Sequence, residues 1–483
     1  VMTCVLGMVV RREREIRAFV KTPFYRVVSS IALEGESFEG EWRAVEGSRY
    51  FQSPVLYKEN GFKKKEDAQK LICELSTQQP LICTVEKIER KKENKNPPLL
   101  FNLAELQNVC SKLFKISPDE TLSIVQDLYE KKLVTYPRTD ARVLSTAVAK
   151  EIYKNISGLR NYPQAGEAAQ GALELGAYKN IAKTRYTNDK QITDHYAIIP
   201  TGQGLGALKG LSLTAQRVYE TIVRRFLSIF YPPAVYQKVS LVTKMENESF
   251  FSSFKVLLSE GYLKIAANSF AKKSMAEASG KTPESEGEGE VSCDEALLAA
   301  LQKLKKGDIL NINGLGIKEG ETSPPKRYNS GSMILAMENA GQLIEDEDLR
   351  SQIKGSGIGT SATRAEILKK LFNIRYLSLN KKTQVITPTL QGEMIYDVVN
   401  CSIRQLLNPE LTASWEKGLT YVAEGSITEQ EYMDKLERFV RIRTKQVEDS
   451  HFQYALRQFF DAAAQYYKKP ERETAVKKRQ NTL

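Results

Sequence analysis

Strand-like sequence falls in two blocks separated by a long helical stretch, and this interruption constrains the fold more than any other feature. FYRVVSSIAL (24–33), SFEGEWRAVE (37–46) and LICTVEKIER (81–90) are β-branched and partly alternating, as strands are. A helix over KEDAQKLICELS (65–76) divides the second from the third. The pattern returns only after Pro232, in VYQKVSLVTKM (235–245), SFFSSFKVLL (249–258), GYLKIA (261–266) and GDILNINGLGIKE (307–319). Two or three isolated strands are barely stable in water. The blocks are therefore expected to pair, which makes residues 95–232 a helical insertion carried on a β-rich body.

Inside the insertion, Leu103, Leu106, Cys110 and Leu113 form an apolar stripe at helical spacing. The next helix opens on SPDE, with Ser117 as N-cap, Pro118 at the first turn and Glu120 completing a capping box. Leu122, Val125, Leu128 and Tyr129 give it a buried face. The basic run KIERKKENKNPP (87–98) reads as a linker, and residues 272–290 as a low-complexity mobile loop. Residues 1–20 read as a helix, the chain after Pro324 is mostly helical, and residues 466–483 end in a Lys/Arg-rich tail.

A length of 483 residues suggests about three domains. The chain carries 70 Lys+Arg against 59 Asp+Glu, a net charge of +11 and a pI near 9.1, which points to a polyanionic partner, nucleic acid before membrane surface. No apolar run approaches the roughly 20 residues of a membrane span. The six Cys contain no CxxC pair, which excludes a zinc ribbon and suits thiols in a reducing cytoplasm. Only two His, His195 and His451, are present, too few for an imidazole-rich metal site. Position 1 is Val rather than Met and no signal-peptide pattern follows, so the chain is expected to begin inside a longer protein.

Three segments could carry chemistry. In KKLVTYPRTDARVLS (131–145), Tyr136 is followed by Arg138. A tyrosine with a reference pKa of about 10 needs nearby positive charge to act as a phenolate. Arg138 supplies a charge that also fits a phosphate bidentately. Read alone, however, Tyr136 is one of 22 tyrosines in a turn. His195 lies in QITDHYAIIPTG (191–202), where it could meet a phosphate or simply decorate the surface. Finally, SPPKRYNSGSMILAMENAG (323–341) leads to KGSGIGTSATRAEILKKLF (354–372), where Gly355, Gly357 and Gly359 precede a helix. Such a turn with Thr360, Ser361, Thr363 and Arg364 is a ready anion site, although it is neither a P-loop nor GxGxxG after a strand.

Taken in order, YPRTD, HYAIIPT and PPKRY…GIGTSATR resemble the type IA DNA topoisomerases, most closely the bacterial topoisomerase III branch. MTCVLGMVVRRERE (2–15), FNLAELQ (101–107), TLSIVQDLYEKKLVTYPRTD (121–140) and LTASWEKGLTYVAEGSIT (411–428) extend the likeness over residues 1 to about 440. The resemblance implies ATP-independent breakage, passage and rejoining of single-stranded DNA, relaxing negative supercoils and decatenating. It implies Tyr136 as the nucleophile of a 5′-phosphotyrosine link and Arg138 as the holder of the scissile phosphate. His195, Thr363, Arg364, Gly359 and Thr3 become DNA contacts, with Cys4 standing where the family has Pro.

The fold implied is a multidomain α+β toroid. Residues 1–22 and 323–445 would form a helical DNA-binding domain, 23–94 and 233–322 a β-rich hinge, 95–232 the helical domain with the tyrosine, and 446–483 a basic tail. The family binds Mg²⁺ through an acidic TOPRIM domain that normally comes first. None of it is found here, so the expected metal lies outside the chain, and the fragment is expected to fall short of full relaxation. A monomer in the bacterial cytoplasm, acting on single-stranded DNA, completes the expectation. Tyrosine recombinases fit poorly, because they need an HxxR cluster and Ile198 stands at that position after His195. Relaxases need a histidine pair that is absent. The remaining alternative is a non-catalytic single-stranded DNA-binding scaffold.

Overall fold

The computed structural model describes residues 1–77, 79–270, 290–292, 295–343 and 357–467. The loop expected over 272–290 lies outside the described residues except for Glu290, as do Cys293, Gly355 and residues 468–483. In chain order the chain begins with α1 (Met2–Ala18), β1 (Pro23–Leu33), β2 (Glu36–Arg43), α2 (Lys65–Leu75) and β3 (Ile82–Lys95). Then come α3 (Leu103–Phe114), α4 (Pro118–Glu130), α5 (Thr146–Glu151), α6 (Tyr153–Gly158), α7 (Gly166–Leu175) and α8 (Leu213–Ser228). The second β block holds β4 (Ala234–Met245), β5 (Glu248–Ser259), α9 (Leu263–Ala266), β6 (Glu290–Ser292), α10 (Glu295–Lys303) and β7 (Ile309–Glu321). The last part holds α11 (Ser330–Glu338), α12 (Arg364–Asn373), β8 (Leu377–Leu379), β9 (Ile386–Pro388), α13 (Leu390–Ser402), α14 (Pro409–Ala423), α15 (Glu429–Glu448) and α16 (Gln453–Ala464).

The two β blocks do pair. The strands run β2-β1-β7-β3-β4-β5-β6, and β2 also pairs with β5, so the first six close into a ring. Every pairing in the ring is antiparallel, and β6 adds to β5 in parallel. Alternating burial along β4 and β5 turns Val239, Leu241, Phe250 and Phe254 inward, where they meet Val27, Ile31 and Trp42. Each large apolar side chain removed from water there contributes roughly 1.5–3 kcal/mol.

Two stretches depart from the expectation. The run read as a linker is the far half of β3: it stays paired with β4 as far as Lys95 opposite Ala234. Its Lys, Glu and Asn side chains stand largely in solvent, and pairing of the backbone overrides their weak strand preference. GYLKIA is a turn of helix, α9, rather than a strand.

Residues 100–230 bury a core of their own around Phe101, Leu106, Val125, Leu128, Tyr219 and Phe226. Leu113, expected on this buried stripe, is 48% exposed. A third core joins α1 with α11 to α13 through Val5, Leu6, Val9, Met333, Met337, Leu368 and Leu371. The charged run of α1 is ordered by carboxylates from later in the chain. Arg14 pairs bidentately with Asp397 (2.8 Å each) and Arg17 with the buried Glu393 (2.7 Å). Arg327 holds Glu13 by two bonds of 2.7 and 2.9 Å, and those bonds pull the Glu13 carboxyl below its ordinary range. The last described residues dock on the same cluster, where the Tyr467 hydroxyl donates to Glu393 at 2.5 Å.

Ring closure depends on one buried carboxylate. Glu248, 0% exposed, accepts from Trp42 Nε1 (2.7 Å), Ser48 Oγ (2.6 Å) and the Arg49 amide (2.9 Å) beside the β2–β5 pairing. Glu248→Ala leaves three donors without an acceptor and is expected to lower unfolding free energy by about 3 kcal/mol or more. Urea denaturation checks this, and an unchanged midpoint would remove Glu248 from ring closure.

Candidate active site

The segment carrying Tyr136 is shaped by its neighbours rather than by any element of its own. Ser117 Oγ caps α4 by accepting from the Glu120 amide, and at the other end Lys132 adopts φ +61, which turns the chain back under the helix. Thr135 then locks onto the histidine segment. Its amide donates to Ile199 O (3.0 Å), and its hydroxyl donates to Ala197 O (3.0 Å) while accepting from the Ile199 amide (2.9 Å). Thr139, only 3% exposed, repeats the device: its hydroxyl donates to His195 O (2.7 Å) and accepts from the Ala141 amide (3.0 Å). YPRTD and HYAIIPT, separate signals in the sequence, are therefore joined on both sides of Tyr136.

That join sets the rings. Tyr136 and His195 lie 4.3 Å apart between centroids, tilted by 44°. Tyr129, expected in the core of α4, instead sits edge-on to Tyr136 at 5.4 Å and 82°. An open cleft of about 620 Å³ is lined by Tyr129, Lys132, Tyr136, His195, Tyr196 and Gln203. The Tyr136 hydroxyl has no hydrogen-bond partner among the described residues, and the Arg138 guanidinium, exposed nearby, makes neither a hydrogen bond nor an ion pair there. Both side chains are thus left unengaged within the protein.

The glycine-rich segment meets this loop from the other body. Gly357 has φ +65, and a Cβ there would lie 2.3 Å from the carbonyls of Met337 and Glu338, so only glycine lets the chain pass the end of α11. Gly359 follows at φ +69, and the Thr363 hydroxyl then closes the turn by accepting from the Thr360 amide (2.9 Å). Thr363 is exposed, while Thr3 gives its hydroxyl proton to Leu406 O (2.7 Å). Arg364, expected at a DNA contact, is engaged within the protein. It is 1% exposed and pairs with Asp140 at 2.8 Å, because the first residue of α12 points inward against the YPRTD loop.

Around that pair lie residues that sequence reading missed. Asn102 caps α3 through the Glu105 amide (2.9 Å), and its amide group reaches Glu338 Oε1 (2.6 Å) and Asp140 O (3.1 Å). Burial pushes the Glu338 carboxyl above its ordinary range, opposed by Arg364. Asp140 lies in YPRTD and Glu338 in SPPKRYNSGSMILAMENAG, but nothing in one dimension pairs them with Arg364.

Residues 1–434 match the family described as DNA topoisomerase. The chain is 30% identical over 455 residues to DNA topoisomerase 3 of Bacillus licheniformis, covering 93% of this chain and 56% of that protein. DNA topoisomerase 3 of Bacillus subtilis is similar at 30% over 454 residues, again 93% and 56%. The chain thus spans little more than half the length of these curated relatives. Its fold is similar to that of full-length topoisomerase I from Thermotoga maritima, with a TM-score of 0.60 at 22% identity over 92% of this chain and 63% of that one. The resemblance seen in the motifs and the multidomain α+β topoisomerase fold are both borne out by these matches.

Thr139 is the clasp between the two motifs. Thr139→Val keeps its shape but leaves His195 O and the Ala141 amide unpaired, and should lower stability by about 2 kcal/mol. Thr139→Ser should restore most of that loss in chemical denaturation, and a Val variant as stable as the parent would show that the clasp carries nothing.

Proposed function

The chain belongs to the DNA topoisomerase family, and from that premise we propose that it breaks and rejoins single-stranded DNA through a phosphotyrosine formed on Tyr136. The observation that supports this most directly is the free Tyr136 hydroxyl, held beside His195 at the edge of an open cleft with an unengaged Arg138 two residues on. In the proposed step the Tyr136 oxygen attacks the scissile phosphorus. The bond from phosphorus to O3′ breaks as the bond to the tyrosine oxygen forms, and the phenol proton passes to the leaving 3′-hydroxyl. One phosphodiester replaces another, so no ATP is needed and the reverse attack rejoins the strand.

Arg138 presents a planar fork to the phosphate, where charge accumulates during attack. His195 packs against the nucleophile's ring with its imidazole exposed, and in this reading it would meet the same strand. Among the described residues no group of three or more His, Cys, Asp or Glu could hold a metal ion. We place the Mg²⁺ of the reaction on an acidic cluster outside these 483 residues. In this reading residues 95–232 swing as the gate, 23–94 and 233–322 bend as its hinge, and 1–22 with 323–445 hold the strand, in a monomer of the bacterial cytoplasm that relaxes negative supercoils and decatenates. No described helix is long and apolar enough to cross a membrane.

The experiment is a single-stranded oligonucleotide incubated with the full-length protein and resolved on a denaturing gel. Tyr136→Phe should form no covalent adduct yet bind the strand about as tightly as the parent, since phosphate contacts supply most of the affinity. An adduct on the Phe variant would overturn the assignment, and binding with no adduct from any form would favour a scaffold. Arg138→Lys keeps the charge but loses the fork, and cleavage should fall about 10- to 100-fold. A Lys variant cleaving at the parent rate would reduce Arg138 to a surface side chain.

A further inference from the structure

The helical insertion and the body built on α11 and α12 meet across a face with an uneven distribution of polar contacts. At the rim Lys369 and Asp119 form an exposed pair (3.0 Å), of the kind that contributes little. Deeper in, Ser111 Oγ meets Ser330 Oγ (3.0 Å), and Gln384 Nε2 donates to Lys115 O (3.0 Å). Only one contact of this set reaches the loop that carries Tyr136: the pair of Arg364 with Asp140.

We infer that Arg364 is a positioning residue, which through Asp140 holds the Tyr136–Asp140 loop in its reactive arrangement only while the two bodies are together. The inference rests on the transesterase reading above. Thr135 and Thr139 fasten the loop to the 195–199 segment, within the same body, and so travel with it if the bodies part. Asp140 is different, because its carboxylate is fastened across the boundary to a guanidinium that is 1% exposed. Arg364 in turn is set by the Gly357–Gly359 turn, which only glycine permits, and stands near Glu338, itself bonded to Asn102 at the start of α3. Asn102 also reaches the Asp140 carbonyl, so backbone and side chain of one residue are both held from this cluster.

The energetics suit a contact that must be remade in each cycle. A buried ion pair gains little net free energy over its hydrated parts, whereas stripping one partner from the other in place is strongly unfavourable. Separation of the bodies lets water reach both groups, so opening carries a modest penalty. Removal of one charge with the bodies closed has no such relief, and the loop shifts. A displacement of about 1 Å at a nucleophile can slow attack on the order of a hundredfold.

The test uses the full-length protein and single-turnover cleavage and religation of a single-stranded oligonucleotide, with strand affinity by fluorescence anisotropy. Arg364→Met keeps the volume and loses the charge; it should slow cleavage and religation by about tenfold or more at nearly unchanged affinity. Asp140→Asn, at a residue 29% exposed and therefore easier to accommodate, should do the same. The double variant should be no slower than the slower single one, because both act through one contact. Arg364→Lys should recover part of the rate. Cleavage at the parent rate by folded Arg364→Met or Asp140→Asn would overturn the inference. So would an affinity that falls in step with the rate, which would make Arg364 a strand contact. A parent protein that forms no adduct would sink the transesterase reading and the positioning role with it, whereas a cleaving parent beside an unaffected variant sinks the positioning role alone.

Discussion

The antiparallel ladder between β3 and β4 is the constraint on which the rest of the molecule hangs. It runs from Thr84 opposite Lys244 to Lys95 opposite Ala234, and the whole helical insertion grows from that last pair. Its two covalent connections therefore leave one sheet side by side, roughly 5 Å apart as paired strands are. The exits are braced. Tyr186 donates its hydroxyl to Pro97 O (2.8 Å), Arg225 reaches Leu99 O (3.0 Å), and the Tyr262 amide holds Pro232 O (3.0 Å). Gly261 lies so close to Pro232 and Pro233 that a Cβ would come within 2.4–2.5 Å of their carbonyls. A body on two adjacent, braced strands can tilt with the sheet's own twist but has little freedom to turn about its own axis.

The order of strand-like and helical sequence was enough to foresee that the β blocks pair and that the insertion lies between them, because strands must find partners. It was not enough to place the end of β3. KKENK carries no apolar alternation, and what keeps it extended is the backbone of Lys238 to Ala234, residues far along the chain. The buried side of α4 was readable at Val125 and Leu128 but not at Tyr129, whose ring is drawn out by Tyr136. Leu113 likewise had the spacing of a core residue without a neighbour to cover it.

The candidate site shows the same division. Tyr136, Arg138 and His195 stand out through their motifs, and the two Thr–backbone clasps that join those motifs explain why the spacing around Tyr136 is so short. The pairing of Arg364 was not legible for a physical reason: a glycine turn before a helix looks like an open anion site, and the carboxylate that pairs with this arginine is 224 residues away. Burial of a guanidinium is a tertiary fact. No local pattern distinguishes an arginine facing water from one facing an aspartate on another body.

The chemistry of the boundary between the two helical bodies bears on whether they could part at all. Gly331 of α11 packs so tightly on α3 that a Cβ would lie 2.7 Å from Asn108 Cα and 2.9 Å from Ser111 Cβ. Ala104, one turn earlier on α3, joins the core of the opposite body. Small residues of this kind let the two backbones approach closely. Arg364, Asp140, Asn102, Gln384 and Glu338 add polar contacts at the boundary, groups that water can satisfy once it enters. Each body meanwhile keeps a dense apolar core that would be costly to open. Each body is thus held by its own apolar core, while the boundary that borders Tyr136 combines close backbone packing with polar pairs.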